Sequence, residues 1–443
     1  MMPSRGPEVG DYERRWSKNS GTRARASRFV IFCLSIVRVS GFVASGLRPG
    51  RTAVTATNGM LEGAAGTVAL EFYSGIGGLR VSLEKAAAAS RKVPVEGASE
   101  RPAGATASFE INAAANSVYE HNFPRSEVTR RSIEHLSAED LDAAAGGAAA
   151  DIWLLSPPCQ PFCRVGNRMD EQDPRSTSFL HLLSLLGAAE NPPSYFFLEN
   201  VQGFDGSQSH HRLLKTLTAR GFVVEQYLLS PVQLGIPNTR VRYYCLASRR
   251  HTDGNGKVGD IQKSLPQNSL LQPDEATVPL RPLSEFLDSS LTGKAAVPLL
   301  LSPKDASHAN PSLRFDVVTM CSTETTTFTK GYGKHAGRAG PVVLLTDDGE
   351  RRVSEERLGR FPSGLDLGPD GREVRWFSDR EMLRLHGFPE EFDFPAGLTR
   401  RQRCALIGNS VNVEVVALLL EKMLFRGREG EENANVDGVA AAV

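Results

Sequence analysis

Val68-Ala69-Leu70-Glu71-Phe72-Tyr73, then Ser74-Gly75-Ile76-Gly77-Gly78, then an Ala- and Leu-rich run over residues 79–89, is the stretch that decides the fold. The first part is apolar enough for a buried strand, the glycines permit a tight turn, and the spacing after them is helical. Strand, glycine turn and helix in that order open an α/β unit. Working outward, residues 86–107 are rich in Ala, Pro and Gly and read as a loop, and 108–111 as a second strand ending in Glu110. Apolar strands are predicted at 151–156, 195–198, 223–229 and 243–247, and helices over 179–186 and 211–219. Strands alternating with helices imply a mainly parallel sheet covered on both faces.

Beyond Ser248 the pattern changes. Residues 249–310 are dominated by Gly, Pro, Ser and Asp, with only 282–291 hinting at a helix, so a boundary and a long loop are expected there. A strand-like run (Val342, Val343, Leu344, Leu345), a helix over 378–386 closed by Gly387, and helical sequence over 400–425 around Gly408-Asn409-Ser410 follow. The expected organisation is an N-terminal extension over 1–66, a catalytic domain over 67–248 and a smaller inserted domain over 249–398 with a flexible loop at 249–312. A helix over 399–425 returns to the first domain, and 426–443 forms a disordered tail.

Composition bounds these readings. With 443 residues, 40% hydrophobic and 23% charged, the chain can bury a sizeable core and wholesale disorder is excluded. Its 51 basic and 51 acidic residues balance overall, yet residues 1–59 hold ten basic and three acidic residues, a net +7, and leave −7 on the remainder. Such a body binds a polyanion through a local basic surface, not a global field. Six cysteines with one closely spaced pair, Cys159 and Cys163, argue against a disulfide-dense scaffold, and no zinc-type double pair exists. The longest apolar run, residues 29–37, is far short of the roughly 20 residues that span a bilayer, so a soluble protein is expected, without membrane or metal. The Arg- and Ser-rich first 59 residues read either as an address segment or as sequence upstream of a working start at Met60.

Four local patterns carry chemistry. The glycine turn sits where an open α/β sheet receives a ligand, and Glu110 at the end of the next strand can accept both hydroxyls of a ribose, as a nucleoside-containing cofactor requires. A plain strand-to-helix corner and an exposed strand-end acid are the bland alternatives. Ser156-Pro157-Pro158-Cys159-Gln160-Pro161-Phe162 follows an apolar strand; its three prolines stiffen the loop and present Cys159 in a fixed direction, as a nucleophile needs. Its activation calls for a helix amino end or an arginine nearby, and Cys163 is either a disulfide partner or a reduced bystander. Glu199, closing Phe196-Phe197-Leu198-Glu199-Asn200-Val201, is placed to donate a proton or, equally, to cap a helix. In Asn238-Thr239-Arg240-Val241-Arg242 both arginines alternate onto one face of a strand start, suiting an anion or a carbonyl oxygen.

The order of these elements resembles the cytosine-C5 methyltransferase superfamily. Phe72-Tyr73-Ser74-Gly75-Ile76-Gly77-Gly78 is similar to its cofactor loop, Pro157-Pro158-Cys159-Gln160 to its nucleophile loop and Glu199-Asn200-Val201 to its acid. Asn238-x-Arg240-x-Arg242 matches its paired arginines and Gly408-Asn409-Ser410-Val411 its closing cofactor motif. Within it the chain most resembles the tRNA cytosine-5 branch, first named as type-two DNA methyltransferases. The cues are Leu228-Leu229-Ser230-Pro231, Leu234-Gly235-Ile236-Pro237-Asn238, Phe328-Thr329-Lys330-Gly331-Tyr332-Gly333 and Leu385-x-Gly387-Phe388-Pro389. One departure bears on substrate recognition: the branch has Cys-Phe-Thr where this chain has Thr327-Phe328-Thr329, and Cys321, six residues earlier, is no evident substitute.

The resemblance implies a Rossmann-like class I S-adenosylmethionine-dependent methyltransferase domain with a smaller inserted target-recognition domain. It implies S-adenosylmethionine as cofactor, held by Phe72, Tyr73, Ser74, Gly75, Gly77, Gly78, Leu79, Glu110, Pro158, Asn409 and Ser410. Cys159 would add to C6 of cytosine, Glu199 would supply or share the N3 proton, and Arg242, supported by Arg240, would hold the O2 side. Gln160, Asn200, Phe328, Thr329, Lys330 and Tyr332 would meet the substrate; aromatic and basic groups from Phe328 to Arg338, including Lys334 and His335, interleave as stacking and phosphate contacts would. The implied target is cytosine 38 in the anticodon loop of aspartate tRNA, the base leaving its stack to react. DNA methylation and a non-catalytic tRNA-binding role are the alternatives; a monomer in cytoplasm and nucleus is expected, or an organelle if residues 1–59 are an address.

Overall fold

The computed structural model describes residues 67–90, 106–126, 128–147, 149–162, 169–250, 255–266, 278–291, 293–302, 315–334, 339–345, 359–361 and 374–425. The expectations for residues 1–66, for Cys163, for His335 and Arg338 and for the tail lie outside them.

The opening stretch folds as read: Ala69–Phe72 is strand β1, buried along its whole length, and Gly78–Ser90 is helix α1. Around β1 the elements are α2 (Ala113–Asn122), α3 (Ala138–Ala144), α4 (Thr177–Ala188) and α5 (Gln208–Ala219), with strands β2 (Thr106–Phe109), β3 (Val128–Thr129), β4 (Ile152–Leu155), β5 (Tyr195–Val201), β6 (Val223–Leu229), β7 (Arg242–Ser248) and β8 (Lys257–Gln262). They form an eight-stranded sheet in the order β3-β2-β1-β4-β5-β7-β6-β8. All neighbours run parallel except β7, which is antiparallel to both β5 and β6. The chain leaves β1 toward β2 and β3, then returns to β4 on the other side. That reversal makes a crevice at the carboxyl ends of β1 and β4, the place where such sheets take ligands.

Both faces of the sheet are covered, as a parallel sheet demands. On one side Ala69, Ile152, Leu154 and Phe197 pack with Leu79, Leu83 and Ala86 of α1 and with Val415, Val416, Leu418, Leu419 and Leu420 of a C-terminal helix. On the other, Leu70, Phe72, Trp153, Leu155, Phe196 and Leu198 pack with Phe179, Leu182, Leu183 and Leu186 of α4 and Leu213 and Leu217 of α5. Alternate residues of each strand thus serve opposite layers.

After a short helix α6 (Gly293–Ala296), a second sheet holds β9 (Phe315–Val318), β10 (Val342–Leu344), β11 (Gly359–Phe361) and β12 (Val374–Arg375) in the order β11-β9-β10-β12. Helices α7 (Asp379–Leu385), α8 (Arg400–Gly408) and α9 (Val413–Phe425) complete the described residues. Val317, Val342, Val343, Met382, Leu385 and Ile407 share a core with Val118, Tyr119 and Phe123 of α2 and nearby. The fully buried Arg375–Glu381 pair, 2.7 Å apart, ties β12 to α7; Glu381 also accepts from the Ser378 and Asp288 backbone amides, so neither carboxylate oxygen is left unmatched. The run Arg400–Leu424 is long and apolar enough by composition to cross a membrane, and its most apolar window is 78% buried inside the protein, as in a core helix.

Several expectations are corrected. Where the expected helix over 79–89 and the expected loop over 86–107 overlap, the chain is helical: α1 runs on to Ser90, since alanine is the strongest helix former. The stretch expected as a loop over 249–312 contains β8, which extends the large sheet at its edge through pairing with β6 despite a mostly exposed, unpatterned sequence. The helix hinted over 282–291 is one 3-10 turn at Leu283–Glu285. The turn closes at Phe286, and beyond it the Asp288 carboxylate accepts from the Ser290 amide and hydroxyl, a local bond that competes with helix continuation.

Candidate active site

Because β1, β2, β4 and β5 are parallel, their carboxyl ends bring the glycine turn, Glu110, the Cys159 loop and Glu199 to one edge of the sheet. Because β7 is antiparallel, its beginning reaches the same edge and delivers Arg242 opposite Val201. A cavity of about 570 Å³ opens there, within the range of small-molecule sites.

One end is built from the turn after β1. Tyr73, Gly75 and Gly77 all take positive φ (57°, 54° and 91°), a conformation that explains two of the glycines and strains the tyrosine. The Tyr73 hydroxyl donates to Ser178 Oγ at 3.0 Å. Glu110 just beyond β2 accepts from Gly75 N (3.1 Å) on one carboxylate oxygen and from Asn112 N (2.8 Å) on the other. Each oxygen keeps a lone pair for a neighbouring hydroxyl, as two vicinal hydroxyls would need. Gly78 is closely covered: a Cβ there would lie 2.8 Å from Ser410 Oγ and from Val411.

The other end gathers Cys159, Glu199, Arg240 and Arg242. Cys159 is half-buried and in no disulfide, in a loop closed by Phe162 N donating to Cys159 O at 3.0 Å. Glu199 is 7% exposed, accepts from Ser156 Oγ at 3.2 Å and pairs with Arg242 Nε at 3.3 Å. Arg240, 3% exposed, donates to the carbonyls of Phe328 (3.1 Å), Gly408 (3.3 Å) and Ser410 (2.6 Å). Burial, and after it the like charge of Arg242, pulls the Arg240 guanidinium down to about 9; Glu199, Tyr244 and Cys159 act in the opposite sense. It stays a cation at neutral pH, electrostatically coupled to the thiol, and a nearby cation favours thiolate.

Most of the residues expected from sequence line this one cavity: Tyr73, Ser74, Gly75, Gly78, Leu79, Glu110, Pro158, Cys159, Gln160, Glu199, Arg240, Arg242, Asn409 and Ser410. Others do not. The Phe72 ring is fully buried beneath it, stacked on Phe109 at 4.9 Å, and Gly77 faces Phe123, which a Cβ would approach to 2.4 Å. Asn200, expected at the substrate, is 1% exposed and donates to the Pro157 carbonyl at 3.3 Å, bracing the Cys159 loop. Phe328 and Tyr332 are core residues, each 0% exposed. They pack edge-to-face on one another, Phe328 against Phe377 and Tyr332 against Trp376, so neither can stack on a base; an aromatic in a Gly-rich stretch looks the same whether it faces solvent or core. Thr329 and Lys330 are exposed and lie outside the cavity lining.

Sequence reasoning missed Ser156, Ile111, Ile133, Glu134, Arg131 and Arg175 on the cavity wall. Ile111 is 68% exposed, unusual for an isoleucine, and its place directly after Glu110 was the available signal. Residues 131–134 follow a two-residue strand too short to read. Among the described residues no group of three or more His, Cys, Asp or Glu is arranged to hold a metal.

Comparison with known proteins agrees with this geometry. The family model for C-5 cytosine-specific DNA methylase matches residues 68–424. A tRNA (cytosine(38)-C(5))-methyltransferase of Mus musculus is 32% identical over 397 residues, covering 79% of this chain and 92% of the relative. A DNA (cytosine-5)-methyltransferase of Dictyostelium discoideum is 32% identical over 402 residues, covering 81% and 95%. The crystal structure of S. pombe Dnmt2 methyltransferase superposes with a TM-score of 0.62 at 27% identity, covering 82% of this chain and 99% of that one. With its motifs gathered at one sheet edge and this match across most of its length, the chain belongs to the C-5 cytosine-specific DNA methylase family, enzymes that in general take their methyl group from S-adenosylmethionine.

Proposed function

We propose that this protein methylates C5 of cytosine 38 in the anticodon loop of aspartate tRNA through a covalent Cys159 adduct. The observation that carries the reading is the convergence of Cys159, Glu199 and Arg242 on a cavity also lined by the glycine turn and Glu110. The residues fit S-adenosylmethionine: each Glu110 oxygen, beyond the amide it accepts, has a lone pair left for a ribose-type diol, Ile111 and Ile133 offer apolar surface, and Ser74 Oγ and Arg240 Nε, both on residues of the wall, are buried without a protein partner. Tyr73, Gly75, Gly78, Leu79, Pro158, Asn409 and Ser410 would complete its seat. Bound there, S-adenosylmethionine supplies an electrophilic methyl group.

The protein's own groups make the acceptor carbon reactive. The Cys159 thiolate adds to C6 while the Glu199 carboxyl passes a proton to N3, and the electron pair displaced toward C5 makes that carbon nucleophilic. Arg242, held by Glu199, meets the O2 side, and Arg240 fixes the strand start that carries it. Once C5 carries the methyl group, a base removes the C5 proton, the C6–S bond breaks, the thiolate returns and N3 gives its proton back to the Glu199 carboxylate. Thr329, Lys330 and Lys334, exposed beyond the cavity, are the candidate phosphate contacts.

The relative named for DNA methylation motivates a second reading, duplex DNA as substrate. Transfer of labelled methyl from S-adenosylmethionine into unmodified aspartate tRNA, run beside duplex DNA with the full chain and with Cys159→Ala, tests both. Incorporation into tRNA alone, absent in the variant, is expected. Incorporation into DNA alone moves the substrate to DNA; tRNA binding without any transfer leaves a binding protein.

A further inference from the structure

Residues 325–328 are laced to residues 237–240 by hydrogen bonds across 86 to 88 positions of sequence. Asn238 Nδ2 donates to Thr325 Oγ1 (3.0 Å) and to the Thr326 carbonyl (3.1 Å), and Thr325 Oγ1 donates to the Pro237 carbonyl (2.7 Å). Thr239 is held on both sides: its N–H, in the Asn238–Thr239 peptide, donates to the Thr325 carbonyl at 2.8 Å, and its carbonyl, in the Thr239–Arg240 peptide, accepts from Thr327 Oγ1 at 2.6 Å. One residue further on, the Arg240 guanidinium donates to the Phe328 carbonyl. Thr327 stands where the resembling branch has cysteine.

We propose that the Thr327 hydroxyl is a positioning residue, which fixes the Thr239–Arg240 peptide and thereby aims the arginine pair at Cys159 and Glu199. A thiol at this position could not do the same work, because S–H is a weak donor and sulfur needs a longer contact than 2.6 Å. Threonine's branched Cβ restricts its rotamer, so the hydroxyl is directed in advance. Without it the Thr239–Arg240 peptide keeps only the bond from the Arg240 N–H to Ser230 Oγ (3.0 Å) and can rotate about it. That rotation would carry Arg240 away from the thiol and displace Arg242, which begins β7 two residues later.

The inference rests on Cys159 as the reacting group, and the test includes a readout that needs neither RNA nor cofactor. In the full chain, the rate of Cys159 alkylation by iodoacetamide is followed against pH by peptide mass spectrometry for wild type, Thr327→Val, Thr327→Ser and Thr327→Cys. The other charged groups on the cavity wall, Glu110, Arg131, Glu134, Arg175, Glu199 and Arg242, are unchanged in sequence, so a displaced profile reports the arginine placement. Thr327→Val should move the profile to higher pH, slowing alkylation at pH 7 by about threefold or more. It should also lower kcat on tRNA about five- to tenfold with KM for S-adenosylmethionine and the thermal midpoint unchanged. Thr327→Ser should rescue both and Thr327→Cys only in part. Overlapping profiles for Val and Thr, or a Ser variant as impaired as Val, overturns the proposal. A shifted profile in a protein that methylates no nucleic acid leaves the positioning role standing and removes the proposed activity instead.

Discussion

The two ends of the cavity are made differently. The glycine-turn end is built from Tyr73 to Gly78 and from Glu110 bonding Gly75 and Asn112, so its shape follows from local φ values and neighbouring amides. The Cys159 end is assembled from the loop after β4, from β5, from the start of β7 and from the segments at Phe328 and Gly408–Ser410, and its keystone, Arg240, bonds carbonyls 88 and 170 residues away. The first should tolerate distant change and fail on a single methyl group. The second should respond to any loss that uncouples the loops around it.

The largest effect is expected at that keystone. Arg240→Met keeps the bulk of the side-chain stem but strands the Phe328, Gly408 and Ser410 carbonyls, and should destabilise the protein by about 3–5 kcal/mol in urea unfolding. A cost below about 1 kcal/mol would mean that the Cys159 end does not depend on these bonds.

The opposite end is tested by a pair of glycines. Gly77→Ala combines φ of 91° with a Cβ 2.4 Å from Phe123 and should cost about 2–4 kcal/mol. Gly75→Ala, with nothing nearer its Cβ than Tyr73 O at 3.9 Å, should cost only about 1–2 kcal/mol from its φ. Equal thermal shifts in the two variants would contradict the close packing seen behind the turn.

Beneath the same turn lies a buried carboxyl. Glu71 accepts from the Tyr119 hydroxyl (2.9 Å) and the Arg80 amide (3.3 Å), yet burial outweighs both bonds and holds its pKa at about 7 against an ordinary 4.5. Between those values the folded chain retains a proton that the unfolded chain has released. This group's contribution to stability therefore falls as pH rises from about 4.5 to about 7 and levels off above, by up to about 3 kcal/mol. Glu71→Gln should lose that slope in urea titrations across the window; an unaltered slope would assign it to other groups.

The smallest effect concerns affinity. Glu110→Gln replaces an oxygen that accepts a backbone amide with an NH₂ that cannot, and removes a diol acceptor. S-adenosylmethionine binding measured by calorimetry should weaken about tenfold, with the unfolding midpoint nearly unchanged. Loss of folding in this variant would show that Glu110 supports the turn more than the ligand.

How far each region was legible follows the same division. The turn, Glu110, the proline-braced Cys159 and Glu199 could be read because each announces itself within a few residues, through glycine, proline or a strand-ending acid. Phe328 and Tyr332 were misread as base-stacking groups because aromatic identity carries no information about which layer a loop faces. The edge strand Lys257–Gln262 was invisible because its residues are largely exposed and its existence depends on β6. The antiparallel setting of β7, which alone brings Arg242 beside Glu199, has no mark in its own sequence.

By itself the sequence determined the α/β succession, the positive-φ turn after β1 and the order of the chemical groups, since backbone preference and hydrophobic period are properties of adjacent residues. The tertiary structure alone decided which of those groups meet. It put Asn200 under the Cys159 loop, Phe328 in the core and Thr327 on the Thr239 carbonyl, because such contacts arise from sheet register and layer packing, which bring together residues that share no local signal.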